Sequence, residues 1–180
     1  GDSVVMVDPM LQPLGTLPPV PDTANTRKNP IARIPLAMED VIDGTSLVLV
    51  THTHRDHSPG VPAIKAATGA TVMAEGPHRV SRPLHVGDGP RLESSNDTDF
   101  RPDRALKDGE VVTIGEMKLH AHLTPGHTKG NTTWSLEVKD MGKTLNAVII
   151  GSPNVNPGFQ LVKNTAYPEM AADYARTFRV

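Results

Sequence analysis

The run His52-Thr53-His54-Arg55-Asp56-His57 sets three imidazoles and one carboxylate within six residues. Imidazole nitrogen and carboxylate oxygen are good zinc ligands, and a loop can fold them inward where a regular strand or helix would splay them. A second signal stands far along the chain, His127 within Pro125-Gly126-His127-Thr128. A histidine beside Pro-Gly can be no more than a turn residue; joined to His52 and His54, it supplies the third imidazole for one zinc. Three histidines leave a tetrahedral position open, and water there has a pKa near 7, the mark of a catalytic rather than a structural metal. The competing reading of the cluster is a polar surface loop that happens to be rich in histidine. The elements around it argue for a site.

Those elements are legible from apolar patterning. Leu47-Val48-Leu49-Val50 reads as a buried strand running straight into the cluster. Residues 60–68 then read as a helix with Ile64, Ala67 and Val61 inward, closed by Gly69, and residues 71–74 return as a strand. The resulting βαβ unit carries the histidines at the C-terminal end of its first strand. Val4-Val5-Met6-Val7 is a further short strand, closed by Asp8-Pro9. Residues 11–35 hold six prolines and no apolar period, so a long irregular loop is expected. Residues 76–108 are polar and turn-rich. Alternating runs at 111–114, 117–123, 132–138 and 145–150 predict an antiparallel or mixed sheet, with the His127 loop between its second and third strands. Residues 168–180 predict a helix with Met170, Tyr174 and Phe178 on one face.

Composition narrows the function classes. The 180 residues carry 18 basic and 20 acidic side chains, a net charge of −2, which gives no footprint for sequence-independent nucleic-acid binding. No apolar run approaches the roughly 20 residues that span a bilayer, and the first residues show neither the basic nor the apolar region of a secretion signal. With no cysteine, disulfides, thiolate catalysis and zinc-finger ligation are excluded together. Three Phe, two Tyr and one Trp leave the core to Val, Ile, Leu, Met and Ala. The length suits one domain, residues 1–180.

The motif His52-x-His54-x-Asp56-His57 and the later Thr124-Pro125-Gly126-His127-Thr128 resemble the metallo-β-lactamase superfamily. The resemblance is a mosaic. Residues 111–180, with Asp108-Gly109-Glu110 and the stretch from Gly151-Ser152-Pro153 to Phe159, are similar to the third subclass of true β-lactamases. Residues 48–108 look more like the glyoxalase- and endoribonuclease-like branch, and the opening to Pro35 resembles a lactonase-like branch. The resemblance implies an α/β fold, a four-layer αββα sandwich, here without the final C-terminal strand and helix. It implies His52, His54 and His127 on a first zinc and Asp56 and His57 on a second. The second zinc lacks a further histidine, since none follows His127, and the place of a bridging aspartate is taken by Gly151-Ser152. Asp56 is implied as the catalytic carboxylate that orients an attacking hydroxide. Ser152, Asn154 and Asn156 are implied to face a substrate carboxylate, with plain turn chemistry as the alternative.

The expected activity is zinc-dependent opening of a β-lactam amide; the setting is left open, with the bacterial periplasm implied only for a true β-lactamase. A thioester or lactone hydrolase is the alternative, and a catalytically weak zinc-binding scaffold is the reading from a different class. The expected partner is a small-molecule substrate, not nucleic acid or membrane; the oligomeric state is left open. His120 and His122 share one face of a predicted strand and are expected at solvent or in a hydrogen bond rather than on a metal. His78 and His85 are expected at the surface. Asp8 could accept from a zinc-bound histidine or serve the turn before Pro9. Arg27, Lys28, Arg101, Arg104 and Lys107 are expected as solvated charges, and Trp134 in the core.

Overall fold

Aliphatic runs dense in valine and leucine suit strands buried on both faces, and the run at 47–50 lies inside the four-stranded first sheet. The computed structural model describes residues 3–19, 24–75, 102–155 and 160–179. Strands β1 (Val4–Val7), β2 (Thr45–Leu49), β3 (Thr71–Glu75) and β4 (Arg104–Leu106) lie side by side in that order, all parallel. The short helix α1 (Met38–Ile42) precedes β2, and α2 (Val61–Thr68) crosses from β2 to β3. Gly69 ends α2 in the left-handed conformation, φ 71°, its N–H returning to Lys65 O.

The second sheet is antiparallel throughout, in the order β5 (Val111–Ile114), β6 (Met117–Leu123), β7 (Thr132–Asp140), β8 (Lys143–Ile149). Alternation sends Leu119, Ala121 and Trp134 inward, where they meet Leu47, Leu49 and Leu106 of the first sheet. The opposite face of the first sheet, Val48, Val50, Val72 and Ala74, is covered by Val61 and Ile64 of α2. Helix α3 (Met170–Thr177) buries Met170 and Tyr174 with Tyr167. Among the described residues no helix is long and apolar enough to cross a membrane.

Several expectations shift. The α2 stripe runs through Val61 and Ile64 to half-buried Thr68, whose hydroxyl donates to Ile64 O; Ala67 is exposed. Residues 104–106, expected as part of a polar connection, form β4, because Asp103 bonds Val72 through both its N–H and its carboxylate and starts the pairing. Helix α1 carried no apolar period to announce it. Helix α3 stops at Thr177, so Phe178 lies beyond it, 69% exposed and stacked on the Tyr174 ring instead of entering the core. His78, His85, Arg101 and Asn156 lie outside the described residues.

Both sheets deliver loops to one edge. The carboxyl ends of β1 and β2 open there, as does the connection from β6 to β7, and Thr132 N–H donates across to Thr51 O at 2.9 Å. That edge is where ligands meet open α/β sheets.

Candidate metal centre

The loop after β2 is organised by Asp8, held just past β1 in the left-handed region at φ 46°, a conformation aspartate tolerates better than most residues. Its carboxylate accepts from Thr51 N–H at 2.7 Å, from the Thr51 hydroxyl at 2.5 Å and from His57 Nδ1 at 2.9 Å. The Asp8 carboxylate thus accepts from a histidine of the cluster, and its other bonds go to Thr51 rather than to the turn before Pro9. Beyond it, His57 N–H and Ser58 N–H both return to His54 O, and the buried Ser58 hydroxyl donates to Thr53 O. This closes the six-residue motif into a tight turn with its histidines on one side.

Hydrogen bonds fix which nitrogen each ring presents. The Thr51 hydroxyl gives its proton to Asp8, so its oxygen accepts from His52 Nδ1 at 3.0 Å, which leaves His52 Nε2 as the basic atom. Asn154 O can only accept, so His127 Nδ1 carries the proton in their 3.0 Å bond and His127 Nε2 is the basic atom. His127 Nε2 stands 3.1 Å from His54 Nδ1. The ligand atoms of His52, His54 and His127 lie within 4.8 Å of one another.

This arrangement fits a metal. Two nitrogens on a tetrahedral zinc at 2.0–2.1 Å would be about 3.3 Å apart, close to the His54–His127 separation. His52 is fully buried and His127 nearly so. Burial, aided by the charge of His57, lowers the His127 pKa in spite of the Asn154 bond, which favours the neutral ring that a metal requires. His52, His54 and His127 could hold a metal ion.

The other sequence candidates surround this centre unequally. His57 packs on His52 with ring centroids 3.9 Å apart. Burial disfavours its cation, but the Asp8 hydrogen bond and the charges of Asp8 and Asp56 outweigh it and raise its pKa. Asp56 is the outermost of the set, its side chain 64% exposed, with Oδ2 3.7 Å from His57 Nε2. Among the described residues the three-histidine cluster is the one group of three or more side chains suited to a metal; Asp56 and His57 form a pair beside it. Ser152 and Asn154 occupy the segment whose backbone orients His127, and the Ser152 hydroxyl donates to Asn154 Oδ1 at 2.5 Å. His120 is exposed and His122 bonds the Ser135 hydroxyl, as expected.

Two contributors were not anticipated. Asn131, fully buried, donates to Thr124 O at 2.7 Å and accepts Ser152 N–H at 3.0 Å, tying the His127 loop to residues 151–154. Tyr174 donates to the same Asn154 carbonyl at 2.6 Å. Their partners lie 7 to 21 positions away in sequence, with no periodic signal to expose them.

Residues 42–141 match the sequence model of the Metallo-beta-lactamase superfamily. Hydroxyacylglutathione hydrolase of Methylobacterium nodulans is 34% identical over 91 residues, which cover 50% of this chain and 29% of that relative. The same enzyme of Fuscovulum blasticum is 37% identical over 86 residues, covering 47% and 26%. In structure, the chain is similar to the native FEZ-1 metallo-beta-lactamase from Legionella gormanii, with TM-score 0.66, 43% identity, and 77% of this chain and 54% of that one covered. BJP-1, a subclass B3 metallo-beta-lactamase of Bradyrhizobium japonicum, gives 0.63 and 35%, with 77% and 52% covered. The chain thus spans about half the length of these solved relatives and under a third of the curated ones.

Proposed function

The chain belongs to the metallo-β-lactamase superfamily, and on that premise we propose that it is a zinc-dependent hydrolase whose substrates are β-lactams. The observation that carries the reading is the convergence of His52 Nε2, His54 Nδ1 and His127 Nε2, each set by a hydrogen bond or a close approach. A zinc held by these three residues would supply a Lewis acid for the carbonyl and lower the pKa of its bound water to about 7. Asp56, exposed beside His57, would orient the attacking hydroxide, as ligand or base. Ser152 and Asn154 would offer hydroxyl and amide groups to the substrate carboxylate, the role the sequence also gives Asn156. Asp56 and His57 are the side chains for a second metal, which water or substrate would have to complete.

Gly151-Ser152, in the place of the bridging aspartate of many hydrolases of the superfamily, favours a lactam over a thioester substrate, since a serine there fits the lactamase subclass. A Cβ at Gly151 would come 2.5 Å from Thr132 O and 2.8 Å from Asn131 Nδ2. A side chain at Gly151 is therefore crowded out, and Ser152 is the residue that stands in the carboxylate's place. The sequence matches to hydroxyacylglutathione hydrolases support the second reading, a thioester hydrolase.

The test combines zinc per chain with three assays on one preparation: a chromogenic cephalosporin, a glutathione thioester and an aryl lactone. One zinc per chain, lost in His52→Ala and His127→Ala, with cephalosporin turnover, is the expected result. No zinc, or zinc indifferent to both substitutions, sinks every hydrolase reading. Turnover of the thioester or lactone alone selects the alternative, and silence in all three leaves a zinc-binding scaffold.

A further inference from the structure

Helix α3 meets the His127 loop at points that the proposed chemistry does not use. The Thr177 hydroxyl donates to Pro125 O at 2.7 Å. The Tyr174 ring lies directly on Gly126, where φ is +133° and a Cβ would come 2.7 Å from the ring. The Tyr174 hydroxyl donates to Asn154 O at 2.6 Å, and that oxygen also accepts His127 Nδ1–H at 3.0 Å. A carbonyl oxygen has two lone pairs, and here one meets the helix and the other a metal-facing ring.

We propose that Tyr174 is a positioning residue for the metal centre. By holding the Asn154 carbonyl against His127 Nδ1, it keeps the proton on that nitrogen and Nε2 turned toward His54. The proposal rests on the reading of His52, His54 and His127 as a metal centre. Three features support it. Asn154 lies in an exposed stretch of loop after β8, so its carbonyl direction depends on what grips it. Tyr174 is itself buried, in the cluster with Tyr167 and Met170, which makes it a fixed point. Burial also pushes its phenol up to about 12, so the hydroxyl remains a donor across the neutral range. Groups that hold the far nitrogen of a ligating histidine set the ring's tautomer and orientation, and their loss typically weakens metal binding 10- to 100-fold. Tyr174 acts one bond further out, through the shared carbonyl, which places its effect near the lower end.

Tyr174→Phe keeps the ring on Gly126 and deletes only the hydroxyl. Thr177→Val deletes the hydrogen bond from the same helix to Pro125 O in the His127 loop and leaves the Asn154 carbonyl, in the loop after β8, gripped. Zinc dissociation constants come from competition with a chromogenic chelator at neutral pH, using the full chain. Binding about tenfold weaker in Tyr174→Phe, with Thr177→Val within about twofold of the parent, is the expected result. Equal affinity in Tyr174→Phe and the parent overturns the proposal, as does equal weakening in both variants, which would mean that any loosening of α3 suffices. A parent chain that binds no zinc refutes the metal centre itself, a separate outcome. Nitrogen chemical shifts of His127 in the metal-free parent provide a readout that survives any folding failure of the variants. A protonated Nδ1 is expected, and a protonated Nε2 overturns the proposal.

Discussion

Gly151→Ala isolates steric fit from every other effect at the edge of the centre. Gly151 does not have a positive φ, so alanine meets no backbone penalty, and the whole cost comes from where its Cβ must go. The methyl carbon would lie 2.5 Å from Thr132 O, 2.8 Å from Asn131 Nδ2 and 2.9 Å from Asn131 Oδ1. Thr132 begins the nine-residue strand β7 and is fully buried, so its carbonyl does not yield. Moving the Asn131 side chain instead breaks its bonds to Thr124 O and Ser152 N–H. Overpacking costs about 1–3 kcal/mol, and leaving buried amide groups unpaired costs about 1–3 kcal/mol more. The middle of the sum is about 4 kcal/mol, or roughly 8–16 °C in Tm at this chain length. Urea unfolding of metal-free protein reads it directly. A loss below about 1 kcal/mol would falsify the crowding argument, and with it the structural reason for excluding a side chain at this position.

Other substitutions test separate parts of the fold. Ile64→Ala empties a fully buried site between α2 and the first sheet and should cost about 2–5 kcal/mol by urea unfolding; a much smaller cost would mean that α2 is not packed as described. Tyr167→Phe removes the hydroxyl that donates to Asp173 at 2.5 Å and should cost about 1–2 kcal/mol, a prediction that fails if the unfolding midpoint is unchanged. The carboxylate of Asp103, held by Lys65 and by Val72 N–H, has its pKa lowered by those two hydrogen bonds. Its stabilisation is present above the unfolded carboxylate pKa, near 4, and is lost as pH falls through the folded value. The pair is two-fifths exposed, so Asp103→Asn should cost only about 0.5–1 kcal/mol at pH 7, and the difference from the parent should vanish in acid. A difference that persists in acid would assign the loss to geometry, not charge.

What the sequence revealed and what it concealed divide along a physical line. The histidine cluster was legible because its members sit within six residues and follow an aliphatic strand. His127 was legible because the chemistry of the cluster demanded a third imidazole, although it stands 73 positions from His54. Helix α2 and the antiparallel strands carried their own periodicity. Strand β4 did not: three residues, Arg104, Ala105 and Leu106, become a strand only because Asp103 docks on Val72. The same holds for Phe178, which continues the apolar spacing of α3 and yet falls outside it, since the helix ends one residue earlier. Local pattern determines which segments can be elements; pairing with remote residues determines where they stop.

The site shows the same division at the level of single atoms. Residue types identify possible ligands, but the nitrogen each histidine offers depends on neighbours that carry no signature: Thr51 and Asp8 for His52, the Asn154 carbonyl for His127. Those neighbours come from the end of β1, the loop after β2 and the loop after β8. Bringing them together requires both sheets to be packed, as the Leu49–Trp134 core shows, and requires α3 to be seated on Gly126. Metal affinity and fold stability should therefore be linked: zinc that binds only the assembled centre adds RT ln(1 + [Zn]/Kd) to stability. Addition of zinc at 100 times its Kd should raise unfolding stability by about 2.7 kcal/mol in the parent chain and by much less in His127→Ala. An equal gain in the two would mean that the ion binds elsewhere, since His127 is the only member of the centre supplied by the second sheet's connection.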